Sequence, residues 1–148
     1  MSANGLEVFD RTLQITHIWL DEIIEDLHTD RQTAWRVLGA VMRALRDRLP
    51  AGLAAHLSAE LPLLVRGAYF DQWRPGEEAL KLRTLAEFLE RVSANLAHGK
   101  PIGSLDATRA VFAVLERHLD KGQLEKVHHA LPAELREFWP KAGRGALM

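Results

Sequence analysis

Leu61-Pro62-Leu63-Leu64-Val65-Arg66-Gly67-Ala68-Tyr69 and Leu131-Pro132-Ala133-Glu134-Leu135-Arg136-Glu137-Phe138-Trp139 stand 70 residues apart and carry Leu, Pro and Arg at matching places. Reading outward at the same offset, Ala40 pairs with Ala110, Val41 with Val111, Leu45 with Leu115, Leu49 with Leu119 and Gly52 with Gly122. Further upstream, Phe88-Leu89-Glu90 echoes Trp19-Leu20-Asp21 at an offset of 69, with Val92 against Ile23 and Leu96 against Leu27. The chain therefore reads as an internal duplication, and the fold follows from what one copy encodes.

In the first copy, Phe9, Leu13, Leu20, Ile23, Ile24 and Leu27 recur at three- and four-residue steps among acidic residues, which predicts an amphipathic helix over Leu6 to Leu27. Thr29 followed by Gln32 has the spacing of a capping box and starts a second helix with Ala34, Leu38, Val41, Leu45 and Leu49 on one stripe. Pro50 and Gly52 make the turn into a short helix bearing Leu53 and Leu57. Pro62 opens a fourth helix to about Phe70, because proline is tolerated in the first turn, where its missing N–H would have no partner. Asp71 to Glu78, with Trp73, Pro75 and Gly76, is the connection between copies. The second copy repeats the plan. Leu85, Phe88, Leu89, Val92 and Leu96 form one face, and Ser104 caps the helix of Ala107, Val111, Leu115 and Leu119. A short third helix carries Val127, and Pro132 opens the last helix, ending at Trp139-Pro140.

The expected architecture is all-α: duplicated four-helix units, about eight helices, packed about a pseudo-two-fold axis into one globular bundle. The domain spans residues 6–140 as repeats 6–73 and 79–140, and 141–148 is a frayed tail. With 19 basic and 20 acidic residues the net charge is -1, too little positive charge for a nucleic-acid or anionic-membrane binder. No cysteine is present, which excludes disulfides, thiolate nucleophiles and thiolate metal sites. Neither a signal peptide nor a membrane span is visible, so a soluble cytoplasmic protein is expected.

The paired Leu-Pro segments, Gly52 and Gly122 ten residues before each Pro, Arg66 and Arg136 four after, and Glu87-Phe88-Leu89-Glu90-Arg91-Val92 together resemble a prokaryotic family known as domain of unknown function 2267. The resemblance runs from about Phe9 to Trp139 and implies a small all-helical protein without an assigned activity. Many members carry an acidic residue after the Gly, where this chain has Leu53 and Gln123.

Chemistry-bearing patterns are sparse. Glu25/His28 and Glu125/His128 have the Glu-x-x-His spacing that sets carboxylate and imidazole side by side on a helix, the weak candidates for a metal-binding bundle. They fall at non-equivalent positions of the duplication, and random placement already gives about 0.6 such pairs in a chain of this composition. No phosphate loop, nucleophile elbow or zinc-protease motif occurs, so neither catalytic residue nor cofactor is assigned and a non-enzymatic role is expected. Arg66 and Arg136 stand three residues before Tyr69 and Trp139, close enough for each guanidinium to stack on the ring one turn along. Trp35 and Trp73, at a helix edge and in the connection, are candidate aromatic anchors. Two readings follow. The first is a protein-interaction or scaffolding module, a homo-oligomer such as a dimer, using these aromatics and an acidic first-helix face (Asp21, Glu22, Glu25, Asp26, Asp30) against a basic second-helix face (Arg36, Arg43, Arg46, Arg48). The second is a small-anion binder at the repeat junction using Arg66 and Arg136.

Overall fold

In a computed structural model, residues 5–141 are described; the tail expected over 141–148 lies, but for Lys141, outside them. Eight helices and no strand occur among the described residues: α1 (Glu7–Leu27), α2 (Arg31–Arg48), α3 (Ala51–Ser58), α4 (Leu63–Phe70), α5 (Leu85–Asn95), α6 (Ser104–His118), α7 (Lys121–Ala130) and α8 (Ala133–Phe138). None is long and apolar enough to cross a membrane.

The architecture is organised around α2. Val37, Leu38, Ala40, Val41, Met42, Ala44 and Leu45 are fully buried, so this helix is covered nearly all round. It packs against α1, α3, α4, α5 and α6. On α6 the same job falls to Val111, Phe112, Val114 and Leu115. The first helix α1 lies against α6 as well as α2, and α5 lies against α2 as well as α6. One core results, running from Trp19 and Ile23 through Tyr69 and Phe88 to Trp139.

Caps explain most helix limits and correct two expectations. The second helix is capped by Asp30, whose Oδ1 accepts the Thr33 N–H at 2.7 Å, rather than by Thr29. Gly103, not Ser104, is the N-cap of α6. A capping box does form at Thr84/Glu87, where each side chain accepts the other residue's backbone N–H, and its N-cap Thr84 lies six residues beyond the expected end of the connection at Glu78. Pro62 and Pro132 occupy the N-cap positions of α4 and α8. His28 ends α1 in the left-handed conformation, φ 52°, its N–H donating to the Ile24 carbonyl.

A third correction concerns α1. Leu20 and Ile23 are buried as expected, but Phe9 and Leu13 are exposed, and Thr12 and Thr16 face inward instead. The α1 segment before residue 16 turns Thr12 inward and leaves its large apolar side chains exposed, so it forms an overhang at the edge of the core.

Candidate interaction face and junction groove

Two features of the surface arise from the segments that the regular helices leave over. The first is the overhang of α1. Leu6, Val8, Phe9, Leu13, Ile15 and Ile18 on this helix, with Leu63 and Leu64 at the start of α4, are between 36% and 55% exposed. The Leu64 N–H donates to Thr12 Oγ1 at 3.3 Å, which sets the first turn of α4 beside the α1 overhang. The inward threonines make the underside of the overhang small and polar, and the large aliphatic side chains are left toward water.

The second feature is a groove of about 480 Å³ where the two halves join. Its walls are the last turn of α2 (Arg46, Asp47), Trp73 and Arg74 in the connecting segment, Leu80, and Arg91 of α5. Arg46 forms the base. Only 5% of its side chain is exposed, and its Nη1 donates to the carbonyls of Tyr69 (2.9 Å), in the last turn of α4, and of Asp71 (2.7 Å), at its C-cap. Its Nε and Nη2 reach Asp47 Oδ1 at 2.8 Å, while Asp47 Oδ2 takes Arg91 Nη2 at 3.0 Å. One carboxylate thus serves two guanidinium groups. The connecting segment is tied down by Leu80 N–H to the Asp47 carbonyl (2.7 Å) and by Arg48 Nε to the Leu82 carbonyl (3.3 Å). Gln72, at the lip, holds φ 58°, a left-handed backbone uncommon for a residue with a side chain.

Arg36, Arg43 and Arg48 of α2 are likewise partly buried, while Arg31 at its start is exposed. Arg36 donates to the carbonyls of Leu96, His98 and Lys100, capping the exit of α5. Arg43 is half-buried, and desolvation lowers its pKa, with Asp71 opposing the shift. The expected basic outer face is therefore consumed by contacts within the chain. Of the acidic face, Glu22 pairs with Arg117 and His118 of α6, both at 2.8 Å, while the His118 ring stacks on Trp19.

The residues singled out in the sequence are distributed as follows. Arg66 donates through Nη2 to the Leu61 carbonyl at 3.1 Å, and Arg136 is exposed on α8. The guanidinium that sits over a ring among the described residues is that of Arg109, 5.2 Å from the Phe138 centroid. Tyr69 is fully buried and donates its hydroxyl to the Ala54 carbonyl at 2.7 Å; burial pushes its pKa up. Trp139 stacks on Phe112 with centroids 4.0 Å apart and donates Nε1–H to Glu116 at 2.7 Å. Trp73 is half-buried and stacked on Phe70. Trp35 is 37% exposed near the start of α2. Glu25, His28 and Glu125 are exposed, while His128 is half-buried beside Glu116 and the Trp139 ring. No group of three or more His, Asp or Glu converges on a metal position among the described residues.

A family described as "Uncharacterized conserved protein (DUF2267)" matches residues 16–138, the span from the inward Thr16 to the end of α8. The chain belongs to the DUF2267 family. No curated protein matches it. The DUF2267 span begins within α1, so Val8, Phe9, Leu13 and Ile15 precede it. The groove lies within it. Sequence reading missed both features. The signal for the first was the row Thr12, Thr16, Trp19, Ile23, a helical stripe alternative to the Phe9–Leu13 one; the groove depends on Arg46, Asp47 and Arg91 meeting across 44 residues, for which the sequence carries no local signal.

Proposed function

We propose that the chain is a non-enzymatic protein-interaction module that pairs with a second copy of itself through the overhang of α1 and the first turn of α4. The observation that carries this reading is the gathering of eight large apolar side chains in the solvent on two adjoining helices. Counted together they leave on the order of 500 Å² of apolar surface in water, divided between the Leu6–Leu13 flank of α1, its Val8–Ile15–Ile18 flank and the start of α4, beside the about 800 Å² that a stable dimer covers per partner. Two copies of an apolar flank, that of Leu6, Phe9 and Leu13, are complementary without any matching of charge, and a two-fold pairing closes on itself. The charged faces first suggested by the sequence do not support the contact, since the arginines of α2 are occupied within the chain.

The same reading takes the chain as two copies of a four-helix unit about a pseudo-two-fold axis. Supporting it, α3 and α7 begin at 51 and 121, α4 and α8 at 63 and 133, and each unit's first helix lies on the other unit's second. Sedimentation equilibrium at low and high salt tests the pairing. A dimer is expected at both, with Phe9→Glu and Leu13→Glu each giving a folded monomer. A wild-type monomer at high concentration, or a dimer untouched by both substitutions, refutes it.

A further inference from the structure

We infer that the groove at the junction of the two halves is a binding site for a small aromatic carboxylate, a role independent of self-association. At about 480 Å³ it falls within the roughly 300–1,000 Å³ of pockets that hold small molecules. Apolar wall is supplied by Trp73, Leu49, Pro75 and Leu80, which suits a flat ring. The charge comes from the base. Arg46 and Arg91 share the one carboxylate of Asp47, so this trio carries a net positive charge inside a partly enclosed space.

The two guanidinium groups are not equally committed. Arg46 is held by two carbonyls and the carboxylate, whereas Arg91 makes one ion pair through Nη2, is 42% exposed, and has a buried Nε without a protein acceptor. Nη1 and the second hydrogen of Nη2 form the Arg91 edge that a ligand carboxylate would meet, in the planar two-bond geometry that guanidinium favours. Arg74 stands on the same wall, paired with Glu77 only at 3.6 Å in full solvent. Glu77 and Glu78 on the rim repel a second negative charge, which selects a monoanion over phosphate. The left-handed Gln72 beside Trp73 adds backbone strain of the kind found at binding sites.

The test titrates the intact protein with 2-naphthoate, its neutral isostere 2-naphthamide and inorganic phosphate, reading backbone amide shifts by NMR and affinity by calorimetry. The expected result is saturable binding of naphthoate with shifts confined to residues 72–80 and the neighbourhood of Arg91. Naphthamide and phosphate should each bind at least tenfold more weakly. In Arg91→Gln, naphthoate affinity should fall at least tenfold with Tm near wild type, and Arg91→Lys should fall between. The naphthamide arm needs no variant, so it decides the matter even if Arg91→Gln is destabilised. Absence of saturable naphthoate binding, equal affinity for the amide, or tighter binding of phosphate overturns the assignment.

Discussion

Replacing Arg46 by Met keeps an unbranched stem but removes the guanidinium and every polar contact that it makes at the base of the groove. Two carbonyls, those of Tyr69 and Asp71, lose their guanidinium donor, and Asp47 loses its nearer partner but keeps Arg91. Each carbonyl left without its donor costs about 1–3 kcal/mol where it is shielded from water, and breaking a buried ion pair from one side costs about 3–5 kcal/mol in all. Because the Asp71 side is open to solvent and Asp47 stays paired, the lower half of that range, roughly 3–4 kcal/mol, is expected. At about 2–4 °C per kcal/mol for a chain of this size, Tm should fall by roughly 6–16 °C. Urea unfolding gives the free energy, and hydrogen exchange should show faster opening of residues 69–73 before the rest. Arg46→Lys should recover only part of the loss, since one ammonium cannot span two carbonyls and a carboxylate. Arg74→Met is the contrast: its pair with Glu77 is exposed on both sides and should contribute almost nothing. If Arg46→Met comes within about 1 kcal/mol of wild type, the guanidinium is not what holds the end of α4, and the account of the groove's base is wrong.

Other perturbations probe separate parts of the fold. Gly99 has φ +104°, and an added Cβ would stand 2.5 Å from Arg36 Cζ, so Gly99→Ala should cost more than about 1 kcal/mol in urea unfolding and loosen the cap on α5. Thr84→Ala removes one side of the capping box and should cost about 1 kcal/mol, seen as faster amide exchange in the first turn of α5. His128 has its pKa lowered by burial, against the pull of Glu116. The unfolded chain therefore binds its proton more readily, so stability should decline as pH falls below the ordinary imidazole value of about 6.5 and level off above it. In His128→Leu that slope should shrink, and an unchanged slope would place its origin elsewhere. Asp30 is the opposite case: its bonds to Thr33 and Lys100 hold its carboxyl at about 2. Its contribution is complete above the ordinary aspartate value and is lost as pH falls through about 2, and Asp30→Asn should flatten the acid limb of the stability curve.

Helix number, order and the two Leu-Pro starts were legible because they depend on local periodicity and on what proline does to a first turn. Caps were less legible, since Thr29 and Asp30 are both good N-caps and the choice falls to whichever side chain reaches the Thr33 N–H. The stripe of α1 was misread for a physical reason. Phe9 and Leu13 continue the hydrophobic period toward the N-terminus, but there α1 turns Thr12 and Thr16 inward, with Thr12 accepting the Leu64 N–H of α4, and leaves Phe9 and Leu13 in solvent. Likewise Arg36, Arg43, Arg46 and Arg48 look like a solvated face until one knows that loops from both halves end over α2 and present bare carbonyls to it. Long-range partners of this kind have no periodic signature.

On the proposed duplication, the apolar frame and its polar fittings have followed different rules. Leu45, Leu49 and Leu61 retain identical counterparts, yet Arg46 faces Glu116 and Tyr69 faces Trp139. In each half the polar residue on the second helix still reaches the end of the fourth: the guanidinium by donating to carbonyls around Tyr69, the carboxylate by accepting the Trp139 indole N–H. The junction of helix ends is thus kept while the sign of the charge that makes it is reversed. A carboxylate there cannot recruit a second arginine into a net positive cluster that is also open to an anion, and the first half is followed by a connecting segment that walls the site. Both proposed contacts therefore fall where the duplication is least faithful, the overhang before residue 16 and the connection after residue 70. Those are the places where side chains could change without disturbing a core that both halves must share.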